Sequence, residues 1–116
     1  MHNFRNLEIW KRSVLLVTDI YKVTNTFPNH ERFGLMSQMQ RAVVSCSTNI
    51  AEGSAKSSNK DFARFLEISL GSLIEVETEL IVAKNLEYLE NILFEELQNK
   101  IIELQKMIYK FKKQLE

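Results

Sequence analysis

Hydrophobic residues recur every three or four positions through most of this chain, which is the spacing of one face of an α-helix. The first predicted stripe consists of Leu7, Trp10, Val14, Val17 and Tyr21, and Leu16, Ile20 and Val23 widen it. Pro28 has no amide proton and disfavours helical geometry at the residue before it. The pattern therefore predicts a first helix over residues 7–26 that ends in a turn.

Three further stretches have the same period and predict helices over residues 35–55, 59–87 and 93–115. Ser58 followed three residues later by Asp61 resembles a capping box and marks the start of the third helix. The second stripe consists of Leu35, Met39, Ala42, Cys46, Asn49 and Gly53. The third consists of Phe62, Leu66, Ser69, Leu73, Val76, Leu80 and Ala83. The fourth consists of Leu97, Ile101, Leu104, Ile108, Phe111 and Leu115.

Four helices of roughly 20 residues, each about 30 Å long, pack most simply as antiparallel neighbours when short segments connect them. The steady repeat of the fourth stripe predicts neighbours that cross at about 20°. No internal repeat indicates a solenoid, and the turns at Pro28 and Ser57 are not compatible with an extended coiled coil. We therefore predict an all-α, antiparallel, up-and-down four-helix bundle that forms a single domain over residues 1–116.

The composition supports a helical domain and limits the classes of partner. The chain has 116 residues with only three glycines and one proline, too few turn formers for an all-β fold. Fifteen basic residues balance fifteen acidic ones, which excludes a strongly cationic nucleic-acid coat protein. The balance is uneven along the chain, because residues 65–105 contain nine acidic and two basic residues. Solvated helix faces account for such a distribution, and so does a dipolar surface that steers a partner.

The cysteine content and the terminus predict a cellular location. Cys46 is the only cysteine and lies in an apolar helical pattern, so it suits a reducing compartment as a small buried side chain. The N-terminal residues contain no apolar signal core, and uninterrupted aliphatic runs such as Val14 to Val17 are too short to cross a bilayer. We expect a cytoplasmic protein that does not associate with membranes.

The residues that usually carry metal or catalytic chemistry are poorly placed in this pattern. The only histidines, His2 and His30, lie outside the apolar stripes, and no Glu-x-x-His pair is present. Gly53 and Gly71 lie in helical contexts and do not form a phosphate-binding loop. We expect no metal, no cofactor and no enzymatic activity, and we interpret Cys46 as a packing residue.

A polar stripe runs beside the apolar one on the second helix and has a counterpart on the third. Its members are Gln38, Arg41, Ser45, Asn49 and Glu52 on the second helix and Ser72, Glu75 and Glu79 on the third. An antiparallel turn near Ser57 brings Arg41 within reach of Ser72 or Glu75, and an Arg41–Glu75 pair is predicted. The stripe is either a structural network at the flank of the core or an interface between subunits. Gly71 predicts close helix approach in both cases.

Several short segments resemble one family in their order and spacing. They are Leu7 to Trp10, Phe27-Pro28 with Glu31, Gly34-Leu35, Gln38, Arg41-Ala42, Asn49-Ile50-Ala51-Glu52-Gly53, Phe65, and Gly71-Ser72 with Glu75. The chain resembles the bacterial four-helix-bundle proteins related to those encoded in intervening sequences of 23S ribosomal RNA genes. The resemblance implies a left-handed antiparallel bundle, a ring-like homopentamer and no established enzymatic activity. The link to ribosomal RNA genes is one of gene location and does not imply RNA binding.

Three functional hypotheses follow from the residues and the resemblance. The leading one is a non-enzymatic oligomeric binding or scaffold protein. The alternative is RNA binding by the assembled oligomer through Lys106, Lys110, Lys112 and Lys113, since a ring repeats a modest basic patch. A solubilising helix end explains the same lysines. The third is an unrecognised enzyme with a pocket at a subunit junction, lined by Arg41, Asn49 or Glu52.

Overall fold

Four α-helices form almost the whole molecule, and the computed structural model describes all 116 residues. The helices are α1 (Glu8–Thr24), α2 (Leu35–Ser54), α3 (Asn59–Asn85) and α4 (Asn91–Leu115). Short 3-10 turns cover Phe4–Asn6 and Asn29–Glu31, and there are no strands. Each helix end lies within two residues of the end predicted from the sequence.

Side-chain contacts show that α2 and α3 run antiparallel. Ser69 on α3 reaches Cys46 on α2, and Ser72 reaches Ser45, so residue numbers rise on one helix as they fall on the other. The α2–α3 contact is the most extensive in the molecule, and the α1–α4 contact is the smallest. The prediction of an all-α four-helix bundle is confirmed, and its left-handed sense stays a prediction.

The core follows the predicted stripes of α3 and α4. All seven predicted positions of α3 are buried. On α4 the first four are buried, while Phe111 and Leu115 are half-buried and pack against the core. Apolar residues recur at a constant three-four spacing through the whole of both helices, so the buried face of each was predictable.

The predicted phase of α1 is wrong in part. Val14 and Tyr21 are 38% and 39% exposed. The buried stripe is rotated to one side and consists of Ile9, Ser13, Leu16, Ile20 and Val23. Residues 14–17 are all aliphatic, so periodicity does not select one face there. Ser13 can join the core because its hydroxyl donates a hydrogen bond to the carbonyl of Trp10 at 2.6 Å.

The α2–α3 pair is held by direct packing. Gly53 lies so close to α3 that an added Cβ would be 2.7 Å from Cβ of Phe65 and 2.9 Å from Cδ1 of Phe62. The Ser69 hydroxyl donates to the carbonyl of Cys46 at 2.9 Å in the buried layer between the helices. At the start of α3, Ser58 Oγ accepts from the Asp61 amide at 3.1 Å, as the capping prediction requires. The Asp61 carboxylate pairs with Arg64 instead of completing the capping box.

Ion pairs lie along the outer edge of the α1–α4 contact. Arg12 pairs with Glu103, and the Lys100 ammonium lies 3.0 Å from the Asp19 carboxylate. These four side chains line a groove of about 320 Å³ between the two helices, with Leu15 at its rim. No helix combines the length and the apolar character that crossing a bilayer requires.

Candidate functional site

The predicted polar stripe lies along the outer edge of the α2–α3 pair, and we call it the polar seam. Ser45, Asn49 and Ser72 are half-buried there. The other predicted members, Gln38, Arg41, Glu52 and Glu75, are exposed. The seam follows the helix period because residues three and four apart share one helix face.

Hydrogen bonds join three of the predicted seam residues. The Ser72 hydroxyl on α3 donates to the Ser45 hydroxyl on α2 at 3.0 Å. The Asn49 amide donates to the carbonyl of Ser45 at 2.8 Å and to its hydroxyl at 3.1 Å. This network contains no histidine, lysine or carboxylate, the groups that commonly activate a serine hydroxyl. Its evident role is to align α2 with α3.

The predicted Arg41–Glu75 ion pair is not present in the chain. None of the seven ion pairs within 4.0 Å includes either residue. The side chains of Gln38 and Glu52 likewise make no hydrogen bond within the protein. Exposed side chains gain little from pairing across a solvated edge, so these four residues are free to meet a partner.

Glu79 is the most unusual residue of the seam. It is only 7% exposed, and its Oε1 is buried without a hydrogen-bond partner. Burial and, to a smaller extent, the nearby Glu75 carboxylate raise the pKa of the Glu79 carboxyl to about 7, against the opposite effect of Arg41 on α2. Glu79 lies one heptad beyond Ser72, just as Gln38 lies one heptad before Ser45, so the two face each other by register. The sequence pattern placed Glu79 in the polar stripe but did not predict that it is buried.

Gly71 does not mediate a close approach between helices of this chain, contrary to the prediction. It is exposed, and a Cβ added to it would have no neighbour within 4 Å. The close approach occurs at Gly53 instead. Gly71 therefore forms an open notch in the outer face of α3.

Cys46 is a packing residue, as interpreted from the sequence. It is fully buried in the core, and burial raises the pKa of its thiol to about 12. A thiol with so high a pKa stays protonated at neutral pH and is a poor nucleophile.

The four lysines of the predicted basic cluster lie on α4 near its C-terminal end. Lys112 and Lys113 pair with Glu116 at 3.2 and 3.6 Å. Lys106 and Lys110 are exposed and have no ion pair within the chain. Lys112 also lines a cleft of about 400 Å³ together with cations and carboxylates of α3. The other charged residues of this cleft are Lys60, Asp61, Arg64, Glu67 and Glu116.

A polar cluster that sequence analysis missed connects two loops at the opposite end of the bundle. The Glu31 carboxylate accepts hydrogen bonds from the Leu35 amide at 3.1 Å and the Tyr88 hydroxyl at 2.8 Å. These bonds lower the pKa of Glu31, and the contact raises the pKa of Tyr88. His30 Nε2 lies 3.3 Å from the Tyr88 hydroxyl. The only sequence signal was an acidic residue four positions before the first residue of α2.

Groups of acidic, cysteine and histidine side chains do not gather into a metal site. No three such residues are placed to hold one ion together. The candidate site is therefore the polar seam with the adjoining outer face of α3, which offers hydrogen-bonding groups, two carboxyls and apolar surface to a binding partner.

Comparison with known proteins places this bundle in a family. No curated protein matches the chain. The chain is similar to the crystal structure of a protein of unknown function from the S23 ribosomal protein family of Bacteroides thetaiotaomicron. The two are 25% identical with a TM-score of 0.81, and the match covers 90% of this chain and 98% of the other. The family model for 23S rRNA-intervening sequence proteins matches residues 5–110. This chain belongs to the 23S rRNA-intervening sequence protein family.

Proposed function

We propose that this protein is a non-enzymatic binding or scaffold protein that works as a homo-oligomer. The observation that carries the proposal is the outer surface of α3, which exposes four aliphatic side chains. They are Ile68 and Val82 on the side of the polar seam, and Ile74 and Ile81 farther round the helix. Exposed apolar surface concentrated on one helix is typical of protein–protein contact sites.

The polar seam supports the same proposal. Arg41 and Glu75 lack ion pairs within the chain, and Glu79 has a buried oxygen without a hydrogen-bond partner. An exposed cation and carboxylate without ion pairs are available to a second protein surface, and the buried Glu79 carboxyl beneath them would be stabilised in its charged form by a cation brought to that surface. The seam then acts both as an alignment network within the chain and as part of an interface.

Mass measurement tests the proposal directly. The mass of the protein is measured by light scattering after size-exclusion chromatography, over a hundredfold range of loading concentration. It should be a multiple of the 13.6 kDa chain mass. The family resemblance favours five copies. The variants Arg41→Ala and Glu75→Ala should shift the oligomer toward smaller species. Lys106→Ala removes an exposed charge from another helix and should not. A monomer at every concentration would refute assembly.

Nucleic-acid binding by the oligomer is the second candidate. It is favoured by the cleft at the α4 end, where Lys60, Arg64 and Lys112 lie together. Carboxylates in the same cleft offset part of this charge, so we place this candidate second. The acidic pair on α3 repels phosphate, so the outer face of α3 is not part of this candidate surface.

A salt titration decides the second candidate. Structured ribosomal RNA should bind at near-physiological salt, and replacing Lys110, Lys112 and Lys113 with glutamine should reduce both the affinity and its salt dependence. Arg32→Gln, which removes a cation at the opposite end of the bundle, is the matched control. Binding that is confined to low salt, or that the lysine variant retains in full, would reject this candidate.

A further inference from the structure

The outer surface of α1 is apolar in the middle and basic at both ends, and we call it the basic face. Leu15 is 65% exposed, and Val14 and Tyr21 are also exposed. The face consists of Lys11, Val14, Leu15, Thr18, Tyr21 and Lys22. Neither of its lysines makes an ion pair within the chain. Both lysines are therefore available to pair with a carboxylate of another protein surface, and the apolar centre between them is exposed.

The outer surface of α3 has the opposite character, and we call it the acidic face. Ile68, Glu75 and Val82 are spaced by seven residues and lie on one line, with Gly71 and Thr78 between them. All five are exposed. Glu79 lies beneath this line on the side facing α2, with Oε1 unpartnered. The acidic face thus combines exposed aliphatic groups, an open notch at Gly71 and two carboxyl groups one turn apart.

Neither face is suited to contact a copy of itself. Two acidic faces in contact would bring Glu75 and Glu79 against the same carboxyls of the other copy, and like charges in an interface are unfavourable. Two basic faces would bring lysines together in the same way. Opposite charges make the basic face and the acidic face complementary to each other.

The two faces also match in length and in position. The basic face spans about 17 Å from Lys11 to Lys22, and the acidic face spans about 21 Å from Ile68 to Val82, at 1.5 Å per residue. In the bundle α1 contacts α2 and α4 but not α3, so α1 and α3 are diagonal and their outer faces point to opposite sides. Each copy can therefore use both faces at once.

We propose that the basic face of α1 in one copy docks on the acidic face of α3 in a second copy, with a lysine ammonium beside Glu75 and Glu79. A lysine stands at each end of the basic face, so one of them comes level with the carboxyl pair in either direction of docking. Gly71 provides the notch that lets the two helices approach. This inference rests on the proposed function, because it specifies the contact by which the oligomer forms.

A head-to-tail contact of this kind has a definite consequence for assembly. It joins two different surfaces, so every copy has one free surface on each side until a ring closes. A contact between identical surfaces would instead stop at a dimer. The distinction can be tested by blocking one face at a time.

The test mixes two variants, each with one blocked face. Ile68→Gln with Gly71→Gln fills the notch and removes apolar surface from the acidic face. Val14→Gln with Leu15→Gln does the same for the basic face. All four residues are exposed, so both variants should keep the circular dichroism spectrum and the cooperative melting of the parent.

Each variant alone should be a monomer, and an equimolar mixture should form a one-to-one dimer of about twice the chain mass. The dimer forms because the first variant keeps its basic face and the second keeps its acidic face. Assembly of either variant alone, or a mixture that stays monomeric, would overturn the proposed contact. If the unmodified protein assembles and the mixture does not, only this inference fails. If the unmodified protein is itself a monomer, the proposed function fails as well.

The proposed pairing of a lysine with the carboxyls of Glu75 and Glu79 is tested by the dissociation constant of the assembly. Lys11→Gln with Lys22→Gln should raise the dissociation constant of the assembly by about tenfold or more, and the loss should shrink as salt is added. Lys106→Gln with Lys110→Gln removes the same number of exposed, unpaired lysines from α4 and should change assembly less than twofold. Equal effects of the two double variants would refute the placement of lysine beside Glu75 and Glu79.

Discussion

The α2–α3 and α1–α4 contacts of this bundle are built in different ways. Between α2 and α3, backbone and aromatic groups touch directly at Gly53, and hydroxyl groups bridge the helices in the buried layer. Between α1 and α4, exposed ion pairs span an open groove. Close packing contributes much more to stability than exposed ion pairs do, so the α2–α3 pair should carry most of the folding energy.

The largest change in the free energy of unfolding should come from the ionisation of Glu79, a buried carboxyl within the otherwise closely packed α2–α3 pair. Its folded pKa of about 7 lies above the ordinary value of 4.5, because burial and Glu75 disfavour the charged form. The favourable contribution is complete below pH 4.5 and is lost as the pH rises through 7, which lowers the free energy of unfolding by on the order of 3 kcal/mol. Urea unfolding of the monomeric Ile68→Gln, Gly71→Gln variant at pH 5 and pH 8 measures the loss.

Adding Glu79→Gln to that monomeric variant should remove most of this pH dependence, since glutamine does not titrate. In the assembled parent the dependence should be weaker, because a lysine of the neighbouring copy favours the carboxylate. An equal change in unfolding free energy with and without Glu79 would assign the pH dependence to other groups.

The next largest loss of unfolding free energy should come from Gly53→Ala, where α2 crosses α3. The new methyl group would lie 2.7 Å from Cβ of Phe65, so the helices must separate, and overpacking of this kind costs about 1–3 kcal/mol. Gly71→Ala is the matched control, because the added Cβ meets nothing within 4 Å. In the monomer it should stabilise α3 by up to about 1 kcal/mol. Thermal melting of both variants gives the comparison, and similar losses would show that the crossing is not tightly packed.

A smaller effect is expected for the buried hydroxyl between α2 and α3. Ser69→Ala removes the hydrogen bond to the carbonyl of Cys46 and should lower the unfolding free energy by about 1 kcal/mol. Denaturant titration of Ser69→Ala beside Thr78→Ala, an exposed hydroxyl of the same helix, separates the bridge from the general effect of losing a hydroxyl. A loss no larger than in the control would mean that the bridge adds nothing.

The smallest effect should be seen at the α1–α4 edge. Arg12→Gln removes the ion pairs with Glu8 and Glu103, and Lys100→Gln removes the pair with Asp19. Each variant should change the unfolding free energy by less than about 1 kcal/mol, with no change at high salt. Melting temperatures at low and high salt measure this. A loss as large as that of Gly53→Ala would overturn the contrast between the two contacts.

The fold was predictable where the apolar positions keep an unbroken three-four spacing. Leu66, Leu73 and Leu80 belong to such a series on α3, although aliphatic residues also lie on its outer face, and the stripe of α4 is equally regular. The phase of α1 was not predictable from periodicity, because the core includes Ser13 and the aliphatic run that follows covers several faces. When a helix has several apolar faces, helix propensity and residue spacing do not show which of them packs against the other helices.

Most residues of the candidate site could be predicted from the sequence, but the burial of Glu79 could not. The spacing of Ser45, Asn49 and Ser72 placed them on facing stripes, and the structure joins them by hydrogen bonds. The burial of Glu79 depends on the distance between α2 and α3 at the Gln38 end of the pair. Such a distance is a property of two helices together and leaves no local signal in the sequence.

The hydrogen bond between Glu31 and Tyr88 makes the two loops at one end of the bundle a single unit of local unfolding. It joins the α1–α2 connection to the α3–α4 connection, 57 residues apart in the chain. The Leu35 amide at the start of α2 is bonded to the same carboxylate, so opening one loop releases the other. Amide hydrogen exchange in both loops should therefore occur at one common rate.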